Sequence, residues 1–119
     1  MKNILPILTL LLLVSINIRA EETMKCEIGP LVSEIGGSKW FINSCSDKKT
    51  VVIYSYPESP ASPFYFMFYL KDGKYHLYGE GTGDKKYTKA ASEELEKYSD
   101  EEIHNLIIKT KYIYDNSKK

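Results

Sequence analysis

Val51 to Gly83 reads VVIYSYPESPASPFYFMFYLKDGKYHLYGEGTG, and its punctuation decides the fold. Thr50 to Tyr56 is dense in β-branched and aromatic residues, the composition that suits a pleated, half-buried surface. It is apolar on both faces, which predicts a central strand covered on both sides. Pro57 to Pro63 (PESPASP) carries three prolines. Each fixes φ and removes a donor, so the segment reads as an extended loop at the sheet end. Phe64 to Leu70 then alternates with period two: Phe64, Phe66, Phe68 and Leu70 share one face, and Tyr65, Met67 and Tyr69 the other. Asp72-Gly73 is a strong hairpin signal, and Lys74 to Tyr78 returns antiparallel. On the return, Tyr75 and Leu77 share a face while His76, Tyr78 and Glu80 share the opposite one. One side of this sheet is therefore rich in phenylalanine and dry. The other is rich in tyrosine and half-wet, because a tyrosine ring packs while its hydroxyl keeps a polar partner.

Upstream, Cys26 to Ile35 is interrupted by Gly29-Pro30, which limits it to an edge strand or an irregular one. Gly36-Gly37-Ser38 is a turn. Lys39 to Cys45 alternates again, with Trp40, Ile42 and Ser44 facing one way and Phe41, Asn43 and Cys45 the other. A hairpin from Leu31 to Cys45 follows, and Ser46 to Lys49 makes the next turn. Downstream, the period changes from two to about 3.6. Thr88 reads as an N-cap ahead of a stripe formed by Tyr87, Ala91, Leu95 and Tyr98. Ser99 with Glu102 is a capping box that opens a second helix with acids in its first turn. Ile103, Leu106, Ile107, Thr110 and Tyr114 line its inner face, and a polar tail starts at about residue 115. The fold class is α+β: an antiparallel β-meander of about four or five strands with two C-terminal α-helices on one face.

Met1 to Ala20 has a short basic start, an apolar run from Ile4 to Ile16 and a small residue at its end. That pattern is a secretory signal, with cleavage expected after Ala20. It leaves residues 21–119 as a single domain, large enough to bury a core with little margin. Without Lys2 and Arg19 the balance is 14 basic to 16 acidic residues. No basic block is present, so neither nucleic acid nor an anionic membrane is an indicated partner. Nor does anything provide a stable membrane anchor once the signal is gone. Cys26 and Cys45 are the only cysteines, and in an oxidising compartment an even pair reads as one disulfide. A metal site would need further ligands at short spacing, and a redox role would favour C-x-x-C; neither pattern occurs. No cofactor is indicated.

Candidate chemistry is sparse. Gly79-Glu80-Gly81-Thr82-Gly83 resembles a phosphate-binding turn, but it is neither G-x-G-x-x-G nor a P-loop, and Glu80 would repel an anion. A glycine-dependent loop where backbone approaches backbone accounts for it better. His76 and Glu80 lie four apart on one strand face, about 13 Å at a strand rise of about 3.3 Å, too far for direct proton transfer. No serine elbow is present, and the acids of the helical segment read as solvated faces. Candidate binding residues are therefore His76, Tyr78, Glu80, Tyr65 and Tyr69, with no catalytic or metal-ligating set.

Cys45, the run Ala61-Ser62-Pro63-Phe64-Tyr65-Phe66, Asp72-Gly73, Gly79 to Gly83 and the helical tail together resemble a family of small, uncharacterised exported proteins of Gram-negative bacteria. The likeness spans about Cys26 to Thr110, and ASPFYF and GEGTG are its most specific parts. It implies a periplasmic location and agrees with the disulfide, but it implies no catalytic residue. Two functional readings follow. The leading one is a non-enzymatic periplasmic interaction protein, inhibitor-like or immunity-like, whose partner is another periplasmic protein. The alternative is a small periplasmic enzyme or ligand-binding protein that uses Glu80, His76 and the Gly79–Gly83 loop.

Overall fold

The structure is a computed structural model that describes residues 23–118. The signal segment expected over residues 1–20, with its cleavage site, lies outside the described residues. Five strands form one antiparallel sheet in sequential order: β1 (Ile28–Ile35), β2 (Ser38–Ser44), β3 (Val51–Ser55), β4 (Phe64–Lys71) and β5 (Lys74–Gly81). Two helices follow, α1 (Lys85–Leu95) and α2 (Asp100–Ser117). The chain is thus an α+β meander with a C-terminal helical layer.

Local chemistry sets each turn. Asp72 and Gly73 both have positive φ (55° and 76°), the backbone of a two-residue hairpin that matches strand twist. β1 is the irregular edge anticipated from Pro30, with a register shift between Ile28 and Leu31. The side chain of Asp47 organises the β2–β3 turn. It accepts from the N–H groups of Lys49 and Thr50, both at 2.9 Å, and from the Thr50 hydroxyl at 2.7 Å.

The core lies between the helices and one sheet face. Trp40, Ile42, Val51, Ile53, Phe66 and Phe68 supply the sheet side, and Ala91, Leu95, Ile103 and Leu106 the helix side. Ser44 Oγ and Thr110 Oγ1 meet at 2.7 Å inside this layer, so two buried hydroxyls satisfy each other and register α2 on β2. Cys26 and Cys45 are joined by a disulfide (S–S 2.04 Å). Beside it, Ser46 N–H donates to Lys25 O at 2.6 Å and Asn43 Nδ2 to Cys26 O at 3.1 Å. The segment preceding β1 is in this way tied to the end of β2.

Four local expectations are corrected. The proline segment is not extended: Ser59 N–H donates to Tyr56 O and Ser62 N–H to Ser59 O, both at 3.0 Å, which folds it into successive turns. Thr88 is not a cap but sits inside α1 and is buried at 6% exposure. The cap is Asp84, whose carboxylate accepts from Lys86 N–H at 2.9 Å. The tail expected from residue 115 is helical through Ser117, held by a Lys111–Asp115 pair and by Asn116 Nδ2 donating to Tyr112 O. β3 is covered by helices on one side only. Val52 and Tyr54 on its other side are half-buried by their cross-strand neighbours, with no second layer among the described residues. The capping box at Ser99 and Glu102 is present as expected.

Two outcomes test this account. Gly36 (φ 60°) lies against α1: a Cβ there would fall 2.6 Å from the Ala90 carbonyl carbon, and its N–H donates to Glu94 Oε1 at 3.0 Å. Gly36→Ala adds left-handed strain to an overpacked contact and is expected to cost about 2–4 kcal/mol in urea unfolding. At Asp47, burial works against the charged form, but the Thr50 hydroxyl, the N–H groups of Lys49 and Thr50 and the Lys49 charge outweigh it. The carboxyl is thereby held below its ordinary value. A depressed folded-state value stabilises above the unfolded value of about 3.9 and is lost as pH falls through the folded one. Asp47→Asn should therefore be less stable than wild type at pH 7, and the gap in denaturation midpoint should shrink below about pH 4.

Candidate interaction face

Period two places all five candidate residues on the sheet face opposite the helices. Strand register joins them into rows. Val32, Phe41, Tyr54, Tyr65 and Glu80 are successive cross-strand partners over all five strands. A second row runs Asn43, Val52, Met67, Tyr78. Tyr69 faces His76 in a third. Such pairs are the unit of sheet stabilisation, and aromatic ones contribute most.

The rings form two clusters. On one side Phe41 stacks on Tyr56 (centroids 4.2 Å apart) and leans on Tyr54 (5.2 Å). On the other, Tyr65 meets Tyr78 at 6.2 Å, and Tyr69 stacks on His76 at 5.4 Å. Tyr65 and Tyr78 stay 36% and 43% exposed, too open to be core residues. Phe41, Tyr54 and Tyr56 were not singled out from the sequence, although the same alternation that selects Tyr65 and Tyr69 selects them.

Glu80 is not held near His76. Its carboxylate accepts from the Tyr78 hydroxyl at 2.5 Å, while His76 is paired with Tyr69 two cross-strand rows away. The structure brings Glu80 to Tyr78 and Tyr65 and leaves the acid–base pair apart. A shallow cleft of about 490 Å³ opens where Glu80 and Tyr65 meet the proline loop, lined also by Pro57, Pro63 and Gly81.

The Gly79–Gly83 loop is explained by its contacts. Gly81 (φ 147°) lies so close to β4 that a Cβ would fall 2.6 Å from the Phe64 Cα. Thr82 and Gly83 N–H both donate to Pro63 O (2.9 and 3.1 Å), and Asp84 N–H donates to Pro60 O at 2.9 Å. Those N–H groups close the loop onto the proline segment instead of pointing at a ligand, so the loop is no anion cradle. Among the described residues no three His, Cys, Asp or Glu side chains are grouped to hold a metal, no cysteine is free, and no helix is long and apolar enough to cross a membrane.

No family model, no curated protein and no solved structure matches this chain. The likeness to small exported proteins therefore rests on the sequence stretches already quoted for it, of which ASPFYF and GEGTG are the most specific.

The Tyr78–Glu80 contact is directly testable. The hydrogen bond to Glu80 and the charge of that carboxylate raise the Tyr78 phenol above its ordinary value. Glu80→Gln removes the charge and should lower the pH at which Tyr78 ionises. Ring-carbon NMR shifts of Tyr78 followed through an alkaline titration would read the change.

Proposed function

We propose that this chain is an exported, non-enzymatic interaction protein of the periplasm, inhibitor-like or immunity-like, and that its open sheet face receives a protein partner. The observation that carries the reading is the continuous aromatic row from Phe41 through Tyr54 to Tyr65, uncovered by any other described element. Contiguous aromatic surface that is open to solvent, here half-buried at Phe41 and Tyr54 and exposed at Tyr65, marks interaction sites more often than scattered apolar residues do. Five strands at a spacing of about 4.8 Å make the face about 20 Å wide, a scale suited to a protein surface rather than a small ligand. Tyrosine suits such a contact because its large ring is amphipathic and orders at low entropic cost. The disulfide fits an oxidising compartment, and the N-terminal signal pattern and the resemblance to small exported proteins support the periplasm.

The test is capture from periplasmic extract with wild-type protein and with Tyr65→Ser/Tyr78→Ser, whose exposed positions leave the core untouched. One stoichiometric partner should bind wild type, and the variant should lose at least about tenfold in affinity, as central aromatic contacts do. Equal retention by the two proteins, or no stoichiometric partner, would overturn the reading.

A further inference from the structure

β5 is an outer strand, and no described element pairs with its free side. Its residues divide by backbone direction. Lys71 and Lys74 flank the two-residue turn and face each other. In such a hairpin the flanking pair exchanges hydrogen bonds, and bonded pairs recur at every second residue. Lys74, His76, Tyr78 and Glu80 therefore bond inward to β4. The N–H and C=O groups of Tyr75, Leu77 and Gly79 point outward, without a partner.

A row of unpaired backbone groups templates a further strand unless something blunts it. The opposite edge is blunted, since β1 carries Pro30 and a register break between Ile28 and Leu31. β5 has neither device: it contains no proline, and its register with β4 is unbroken from Lys74 to Gly81.

We propose that β5 is the interface of a two-fold homodimer, paired antiparallel with the same strand of a second copy about Leu77. The sequence of the strand is what selects a second copy as the occupant. Antiparallel pairing about Leu77 overlaps all of residues 74–80 and sets each Lys74 opposite the Glu80 of the other copy. Lys74 makes no ion pair among the described residues, and both side chains are exposed. His76 falls opposite Tyr78, a second aromatic pair on the open face. On the helix side Tyr75 falls opposite Gly79, and at the axis Leu77 meets Leu77 of the second copy as an apolar pair. Tyr75 is also drawn back over its own sheet, donating to Lys49 O at 2.8 Å. Complementary charge directly across a strand pair is stabilising and like charge is destabilising, which makes the register self-selecting. An isologous contact of this kind closes on itself and does not propagate into a filament. The result is one ten-stranded sheet in which the two open aromatic faces are continuous. This inference does not rest on the partner reading: it is carried by the unpaired backbone edge of β5, although its side-chain pairs lie at the margin of the same open face.

Analytical ultracentrifugation of the purified protein, with dilution from about 1 mM to about 1 μM, tests it against the ordinary affinity range. A monomer–dimer equilibrium is expected. Lys74→Glu, which sets like charges across the axis, should raise the dissociation constant at least tenfold. The charge swap Lys74→Glu/Glu80→Lys should restore it to within about threefold of wild type. Leu77→Pro removes the outward N–H at the axis, together with a side chain that packs against the core, and should leave a folded protein monomeric. Monomer at every concentration would overturn the proposal. So would a dimer that ignores Lys74→Glu, or one that the charge swap fails to rescue.

Discussion

The indole of Trp40 sits where strand, turn and helix have to agree. It is fully buried, and a buried indole N–H must find an acceptor. Nε1 donates to Ile35 O at 3.0 Å and to Ser38 Oγ at 3.1 Å, which fixes the end of the β1–β2 hairpin. The ring meets Phe66 at 5.3 Å and Phe64 edge-on at 6.5 Å, so the same side chain binds β2 to β4 across β3. The turn it braces is also where Gly36 lets α1 approach backbone to backbone. The Ser44–Thr110 hydroxyl pair performs the corresponding job at the other end of β2, under α2. Apolar area drives the helices onto the sheet without direction; these two polar contacts say where they stop.

Most of this layout was legible because it rests on short-range chemistry. Asp72-Gly73, Gly36-Gly37 and the Ser99–Glu102 box each act within a few residues, and each was read in place. The misreadings share another cause. Asp84 and Thr88 are both cap-forming residue types, and the apolar stripe begins between them, so periodicity favoured the later one. What decides for Asp84 is a tertiary contact: its N–H is held by Pro60 O, which places its carboxylate at the helix start. Thr88 is then carried into the core. At the C-terminus, polar composition concealed three residues of helix, because an exposed last turn needs no apolar stripe when i,i+4 side-chain contacts support it.

β3 is the instructive error for the candidate site. A strand apolar on both faces predicts two covering layers, and only one exists. Val52 and Tyr54 are shielded instead by Asn43, Met67, Phe41 and Tyr65 lying beside them in the same face. Composition cannot separate shielding by neighbours from shielding by a second layer, since both call for apolar side chains. The five candidate residues were correctly assigned to one face because they lie in β4 and β5, where alternation is clean. Their continuation through Tyr54 and Phe41 was hidden by the assumed second layer.

A one-sided cover has a further consequence. A domain of this size has little apolar area to spare, so leaving an aromatic face open forgoes stabilisation that a third layer would supply. The chain offsets this with devices that act away from the face. The disulfide, with a sequence separation of 19, contributes on the order of 3 kcal/mol in the chain-entropy model. The Asp47 turn, the Asp84 and Ser99 caps and the closed Gly81–Gly83 loop lie at strand and helix ends as well. None of these depends on Tyr65, Tyr69, His76 or Tyr78. Exposed aromatics could therefore change without unfolding the domain, and what keeps them in contiguous rows is better explained by a contact they make than by the stability they give.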